Sequence, residues 1–494
     1  MLIPKTYPVT SHTDHVGQGS TFVAIRGFKI DGATCIAQAI NRGATAIVIE
    51  DKTLTPELEQ LCSMHNIKLD VVCNARQELA KRAAQALGNP AAQLTMIGVT
   101  GTKGKSTTTY LVEHILRTAG LLTGLVGTIK NFIATYDTTL NTPIIKEMQG
   151  THTTPESDAL QMFLAQAVQH QVSHVVLETS SHALSLNRVD GILFDVVGFT
   201  NLYHDHMDFY TSMEHYFTDK LKLFDQVKPG GSIVINTDNE WGLKALARAI
   251  QLPNVTVITC GQQSLIPDAN NHRHVQFSVL DSMSLSIALE PDAPDVSRKI
   301  ITCAALIGDF NGYNLVMAWL IAFKMGIKPD IIQHALDLFS GVPGRMQLHR
   351  LKNGALGIVD YAHNAASMDA VLKLLRTMTK NLIVVFGCGG DRDPSRRPAM
   401  GAVAAQYADQ IILTNDNPRS EDGITIIHNI LAGIPASQHE IVSCQPDRSL
   451  AIQYAAELAQ PEAIIAILGK GHENYYIVGD AVLYFDDYQE IQQF

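Results

Sequence analysis

The sequence predicts an α/β protein of three domains with mostly parallel sheets. Three observations carry that expectation. The chain has 494 residues, enough for about three domains at roughly 100–200 residues each. Short β-branched runs alternate with longer amphipathic stretches, the pattern of parallel strands joined by helical crossovers. Two Gly/Pro breaks, Gly88-Asn89-Pro90 and Gly341-Val342-Pro343-Gly344, divide the pattern into segments 1–90, 91–340 and 341–494.

In the first segment, TFVAI and TAIVIE read as strands around a helical stretch, and ELAKRAAQAL reads as a helix stopped at Gly88. The second segment opens on the strand LTMIGVT. The third holds three strand-then-loop units, LIVVFGCGGDRD, QIILTNDNPRSED and AIIAILGKGHE. In an open parallel sheet, loops after the strands' carboxyl ends gather at the ligand crevice, so these three form a candidate binding face.

Composition narrows the function. With 37 Lys+Arg against 48 Asp+Glu the net charge is −11, which argues against a general nucleic-acid or anionic-membrane binder. The seven cysteines are scattered without a CxxC, so neither a disulfide framework nor a structural zinc site is expected. MLIPKTYPVT lacks an apolar signal region, and the apolar run LVMAWLIAF is far shorter than the roughly 20 residues a bilayer requires. A cytoplasmic protein without membrane insertion is the expectation.

The strongest local motif is GVTGTKGKSTTTYLVEHIL from Gly98. Gly101 and Gly104 let backbone N–H groups approach phosphates at a helix N-terminus. Lys105 can neutralise phosphate charge and Ser106 can ligate Mg²⁺. Val99 stands where the general Walker pattern has its first glycine. Glu178 ends the strand HVVLE, a position suited to holding Mg²⁺ or to a solvated strand terminus. His204, Asp205, His206 and Asp208 crowd one loop, which reads equally as a metal cluster or as satisfied polar groups. Met213, Phe217, Phe224 and Val227 recur at helical spacing, and Lys220 shares their face. That lysine either snorkels outward or points inward as a modified or catalytic group. In DNPR, Arg419 offers a fork for a carboxylate, while Asp416 and Glu473 could hold an ammonium. Such a site suits a zwitterion. Tyr361 and His363 read as packing and hydrogen-bonding residues.

Taken together, TFVAIRGFKIDG, GVTGTKGKSTT, TTPES, ETSSHAL with Arg188, NLYHDHMDF with Lys220, GDFNGYN, VPGRM, VDYAHN, GCGGDRD, DNPRSED and GKGHE resemble the Mur ligase family, from about Thr21 to Asp487. The resemblance implies a small N-terminal uridine-binding α/β domain (1–90), a central P-loop ATPase domain (91–340) and a C-terminal Rossmann-like amino-acid-binding domain (341–494). It implies an ATP-dependent ligase that adds meso-diaminopimelate to UDP-MurNAc-L-Ala-D-Glu through an acyl phosphate. The alternatives are a relative of a specialised pathway with another carboxylate acceptor, prompted by His12-Thr13-Asp14 where the family has Asp-Ser-Arg, or lysine as the added amino acid.

By position, the resemblance assigns Gly101, Thr102, Gly104, Lys105, Ser106, Thr107 and Asn311 to ATP. It assigns Ser106, Glu178, His206 and a CO₂-derived carbamate on Lys220 to Mg²⁺. Phe28, Lys29, Thr153, Thr154, Ser180 and Arg188 go to the UDP-MurNAc-dipeptide, and Arg392, Asp416, Asn417, Arg419, Gly469 and Glu473 to the added amino acid. A monomer is implied.

Overall fold

The computed structural model describes residues 4–27, 30–137, 142–148, 152–267, 269–282, 284–291 and 299–494. Phe28 and Lys29, expected at the uridine end, lie outside the described residues. The chain forms two compact units, one of Met1–Leu280, Ile287–Ile301 and Phe310–Leu338, the other of Asp281–Ser286, Thr302–Asp309 and Phe339–Phe494.

The first unit opens with a parallel sheet of four strands in chain order, Val9–Thr10, Thr21–Val23, Ala46–Glu50 and Lys68–Val72. The two inner strands are the apolar runs legible in the sequence. The outer two are not, because one has two residues and the other, KLDVV, is only partly covered. The helix Ala75–Ala86 buries Ala75, Leu79, Ala80 and Ala83 at helical spacing, and packs on Val9, Val23 and Val48. Asn74 caps its start, and Gly88 and Asn89 stop it in left-handed backbone.

Thr10 and Ser11, at the end of the first strand, both donate to Asp158. This ties the small sheet to a larger one of eleven strands. There Thr95–Thr100 runs in the middle, parallel to His174–Glu178 on one side and Phe194–Phe199 on the other. Its Met96, Ile97 and Val99 are fully buried, as expected for a strand covered on both faces. The chain passes from one side of this strand to the other between His174–Glu178 and Phe194–Phe199, so their carboxyl ends frame a switch-point crevice.

One helix differs from the sequence expectation. The run from Met213 is helical only to Leu221. Phe224 sits in a 3₁₀ turn and Val227 opens a strand. The apolar spacing continues because the turn keeps the same side inward, and spacing alone does not separate the two helix types.

The second unit holds a six-stranded sheet in the order Gln347–Arg350, Leu356–Asp360, Ile464–Leu468, Leu382–Phe386, Gln410–Leu413 and Val442–Cys444, parallel except for the first pair. The three predicted strand-loop units are the adjacent central strands. Apolar clusters cover both faces. Behind the sheet, Arg448 and Asp487 form a two-pronged ion pair, 2.7 Å at each contact, with both side chains essentially unexposed. Arg448 also donates to the carbonyls of Leu468 and Asn415. Removing one partner strands a buried charge, so Asp487→Ala is expected to cost about 3–5 kcal/mol. Scanning calorimetry of the full chain would show this as a lowered transition, and an unchanged thermogram would contradict it.

Candidate active site

In the first unit, the loop Gly101–Gly104 joins the central strand to the helix Lys105–Thr118. Both glycines have positive φ, and a β-carbon on either would collide, with Thr200 Oγ1 at Gly101 and with Asn314 Oδ1 at Gly104. The loop is thus held against its neighbours at positions only glycine fits. Asn314 Nδ2 in turn donates to Asn311 Oδ1 at 2.9 Å. Thr102 Oγ1 meets Tyr216 Oη at 3.1 Å, and the Ser106 and Thr107 N–H groups belong to the first helical turn, the end that favours anions.

Two lysine side chains converge on one carbonyl of that loop. Lys105 Nζ donates to Gly101 O and Thr102 O at 3.0 Å each, and Lys220 Nζ donates to Gly101 O at 2.8 Å. Lys220 is 1% exposed and lies over the Tyr216 ring, so it points inward and does not snorkel. Burial, then the nearby Lys105, holds its amine well below the ordinary lysine range, against an opposing pull from Asp205. Burial also lowers His206, opposed by Asp205 and reinforced by Lys105 and Lys220. This favours the neutral imidazole, the ligating form.

Glu178 is fully buried, and its carboxylate accepts from Thr128 N at 3.1 Å and Thr128 Oγ1 at 3.0 Å. A β-carbon at Gly127 would strike it. Each carboxylate oxygen keeps a second lone pair. Among the described residues, no three His, Cys, Asp or Glu side chains are placed to share an ion, so His204, Asp205, His206 and Asp208 do not form a cluster of their own. The Ser106 hydroxyl and the Glu178 carboxylate are oxygen donors of the kind Mg²⁺ prefers. That ion usually takes few protein ligands and completes its shell with phosphate and water.

The carboxyl end of the same strand gathers Thr153, Thr154, Ser180 and Arg188. Thr154 Oγ1 donates to Glu178 O at 2.6 Å and accepts from Ser180 N at 3.1 Å. Thr153 Oγ1 meets Thr128 Oγ1 at 2.9 Å, and Arg188 Nη1 donates to Thr154 O at 3.0 Å. Glu156 bridges Arg188 at 2.7 Å and Arg76 at 3.1 Å.

In the second unit, loops after four strands enclose a pocket of about 220 Å³. All six residues expected there line it: Arg392, Asp416, Asn417, Arg419, Gly469 and Glu473. Arg419 takes left-handed backbone, and among the described residues only its Nη1 is engaged, with Gly390 O at 2.8 Å and Asn417 O at 3.5 Å. The rest of its fork remains for a ligand. Asn417 Nδ2 donates to Glu473 Oε2 at 2.9 Å. Burial and the neighbouring Asp416 push the Glu473 carboxyl upward. Cations on one side and paired carboxylates on the other suit a zwitterion.

Comparison with known proteins decides the family. Three family models match in chain order: Mur ligase family, catalytic domain, over residues 8–93; Mur ligase middle domain over 99–322; and Mur ligase, glutamate ligase domain over 344–471. The chain belongs to the Mur ligase family. A UDP-N-acetylmuramoyl-L-alanyl-D-glutamate–2,6-diaminopimelate ligase of Geobacter metallireducens is 36% identical, over 96% of this chain and 91% of that one. The ligase of the same name from Aquifex aeolicus is 36% identical, over 100% of this chain and 94% of its own length. A solved structure of a ligase of that name superposes with a TM-score of 0.68 at 28% identity, covering 99% of this chain and 94% of the other. As a Mur ligase, the chain is an ATP-dependent ligase with a three-domain α/β fold. No helix among the described residues is long and apolar enough to cross a membrane.

Sequence reasoning missed several residues of this Mur ligase's sites. Gly127 and Thr128 hold Glu178 from 50 residues away, with no local motif to mark them. Tyr361 and His363, read as packing and hydrogen-bonding residues, line the second unit's pocket together with Cys388 and Arg396. Lys470 is completely buried directly behind the pocket. Its signal was available: a lysine between Gly469 and Gly471, both with positive φ, just past a core strand.

Proposed function

We propose that this Mur ligase adds meso-diaminopimelate to UDP-MurNAc-L-Ala-D-Glu in peptidoglycan precursor synthesis, with ATP as co-substrate. The observation that carries the reading is the mixed-charge pocket of the second unit, with the open fork of Arg419 opposite the Asp416/Glu473 pair. meso-Diaminopimelate is a lysine with a second carboxylate. Arg419 matches the extra carboxylate, and Asp416, Asn417 and Glu473 match an ammonium.

In the first unit, the glycine loop and helix N-terminus cradle the ATP phosphates, and Lys105 leaves its carbonyl partners to neutralise them. Thr153, Thr154, Ser180 and Arg188 orient the UDP-MurNAc-dipeptide so that its terminal carboxylate faces the γ-phosphate. Ser106, Glu178, His206 and, once carbamylated, Lys220 would hold Mg²⁺. When bound, the ion screens two anions that must meet, lowering the barrier to the acyl phosphate. Burial, which pulls the Lys220 amine toward its unprotonated form, favours the nucleophile CO₂ needs; its nitrogen bonds the CO₂ carbon, a proton is released to solvent, and the resulting carbamate is an anion suited to the metal. One amino group of the added amino acid, as the free amine, then attacks the acyl carbon; the bond from that carbon to the phosphate oxygen breaks, phosphate leaves, the nitrogen gives up a proton to solvent, and an amide remains. Asp416 and Glu473 hold the other amino group as an ammonium and so fix the direction of the amino acid.

The test is phosphate release with ATP, Mg²⁺ and UDP-MurNAc-L-Ala-D-Glu, comparing meso-diaminopimelate with L-lysine. Turnover with meso-diaminopimelate alone is expected. Turnover with lysine instead would overturn the assignment of the amino acid. No turnover with either, in protein that binds ATP, would overturn the assignment of the acceptor.

A further inference from the structure

The amino-acid pocket rests on a charge that does not line it. Lys470 is 0% exposed, its Nζ donates to Tyr475 O at 2.6 Å and Asn417 Oδ1 at 3.1 Å, and it lies 3.9 Å from Glu473 Oε2, an ion-pair distance. The nearby carboxylate favours the charged form of the lysine.

The contacts fix two things. The first is the orientation of Asn417. Its Oδ1 takes donors from Lys470 and from Ile477 N at 3.0 Å. A flipped amide would set its NH₂ against two donors. Nδ2 is therefore turned to Glu473. The second is the charge count. Asp416 and Glu473 form a like-charged pair, and burial of such a pair without a cation drives one member to protonate. Arg448 does not supply that cation, because Asp487 already pairs with it. Lys470 does, leaving one net negative charge, the complement of a single ammonium.

The same ammonium reaches the other half of the pocket. By holding Tyr475 O it anchors the hairpin of Tyr475–Val478 and Ala481–Tyr484. That hairpin sets the backbone of Arg419, whose N–H donates to Ile477 O at 3.1 Å and whose carbonyl accepts from Gly479 N at 2.7 Å.

We propose that Lys470 is the positioning residue of the amino-acid site: without facing the ligand, it sets the orientation of Asn417, the charge of the Asp416/Glu473 pair and the backbone that presents Arg419. The proposal rests on the reading of this pocket as the amino-acid site. Burial pulls the Lys470 amine down and pushes the Glu473 carboxyl up, opposing directions that mutual contact relieves.

The test is steady-state kinetics of the full chain carrying Lys470→Met, which keeps the volume and removes the charge. The KM for meso-diaminopimelate is expected to rise about 30-fold, the worth of hydrogen bonds to charged groups. The KM values for ATP and UDP-MurNAc-L-Ala-D-Glu should stay within about threefold. A general loosening of the fold would move all three together, and that result overturns the proposal, as does an unchanged KM for the amino acid. If Lys470→Met does not fold, Lys470→Gln is read the same way. Failure of both to fold assigns the residue to the fold alone and overturns the proposal. The wild type run alongside separates the two readings. If it uses another amino acid, the substrate assignment falls and Lys470 is judged on that amino acid's KM. If it uses none, both fall.

Discussion

Lys220→Met is expected to lower kcat about 10³-fold, the upper end of the cost of removing one electrostatic contact from a transition state. The variant should fold. Methionine fills a similar volume, and among the described residues Lys220 Nζ hydrogen-bonds to Gly101 O alone. It is a fully buried basic group beside the Lys105 cation, a costly arrangement. On the reading proposed above, the cost is accepted because the amine is poised to become a carbamate. Two measurements separate that from a plain cation. Protein equilibrated with ¹³C-bicarbonate should show a carbamate resonance that Lys220→Met lacks. Lys220→Arg, which keeps the charge and cannot form the carbamate, should be as inactive as Lys220→Met. An arginine variant with most of its activity, or a wild type without the resonance, would defeat the carbamate.

The second large effect concerns selection of the amino acid. Arg419→Asn is expected to lower kcat/KM for meso-diaminopimelate about 10²- to 10³-fold, because a site built to bind a charged group loses its partner outright. The KM for ATP should not change. Asparagine is the apt replacement because Arg419 occupies left-handed backbone, which asparagine tolerates. Its N–H and carbonyl contacts to the hairpin can then persist. Lysine lacks the second carboxylate, so its use should fall far less and the preference between the two amino acids should narrow. An equal loss with both would show that Arg419 acts on the pocket's shape instead.

The gathering of the six residues into one pocket was legible because they sit in compact motifs after apolar strands. DNPR and GKGHE carry five of the six expected residues, and a parallel sheet brings such loops together whatever lies between them. Glu178 was legible for the same reason. Its supporters Gly127 and Thr128 were not, because their role is a contact made 50 residues away. The edge strand Lys68–Val72 was missed because its outer flank is uncovered and its residues need not be apolar.

Lys220 and Lys470 mark the boundary between the two kinds of information. The sequence by itself determined the α/β class, the apolar core strands, the glycine loop before the helix at Lys105 and the loops that carry charge. These follow from local spacing and from residues with special backbone freedom. It left Lys220 equally inward or outward, and it gave Lys470 no role. Only the tertiary structure decided both, because whether a charge is buried depends on what packs over it. For Lys220 that cover is Tyr216 and the glycine loop, the latter more than a hundred residues earlier. For Lys470 the partner Asn417 lies more than fifty residues earlier.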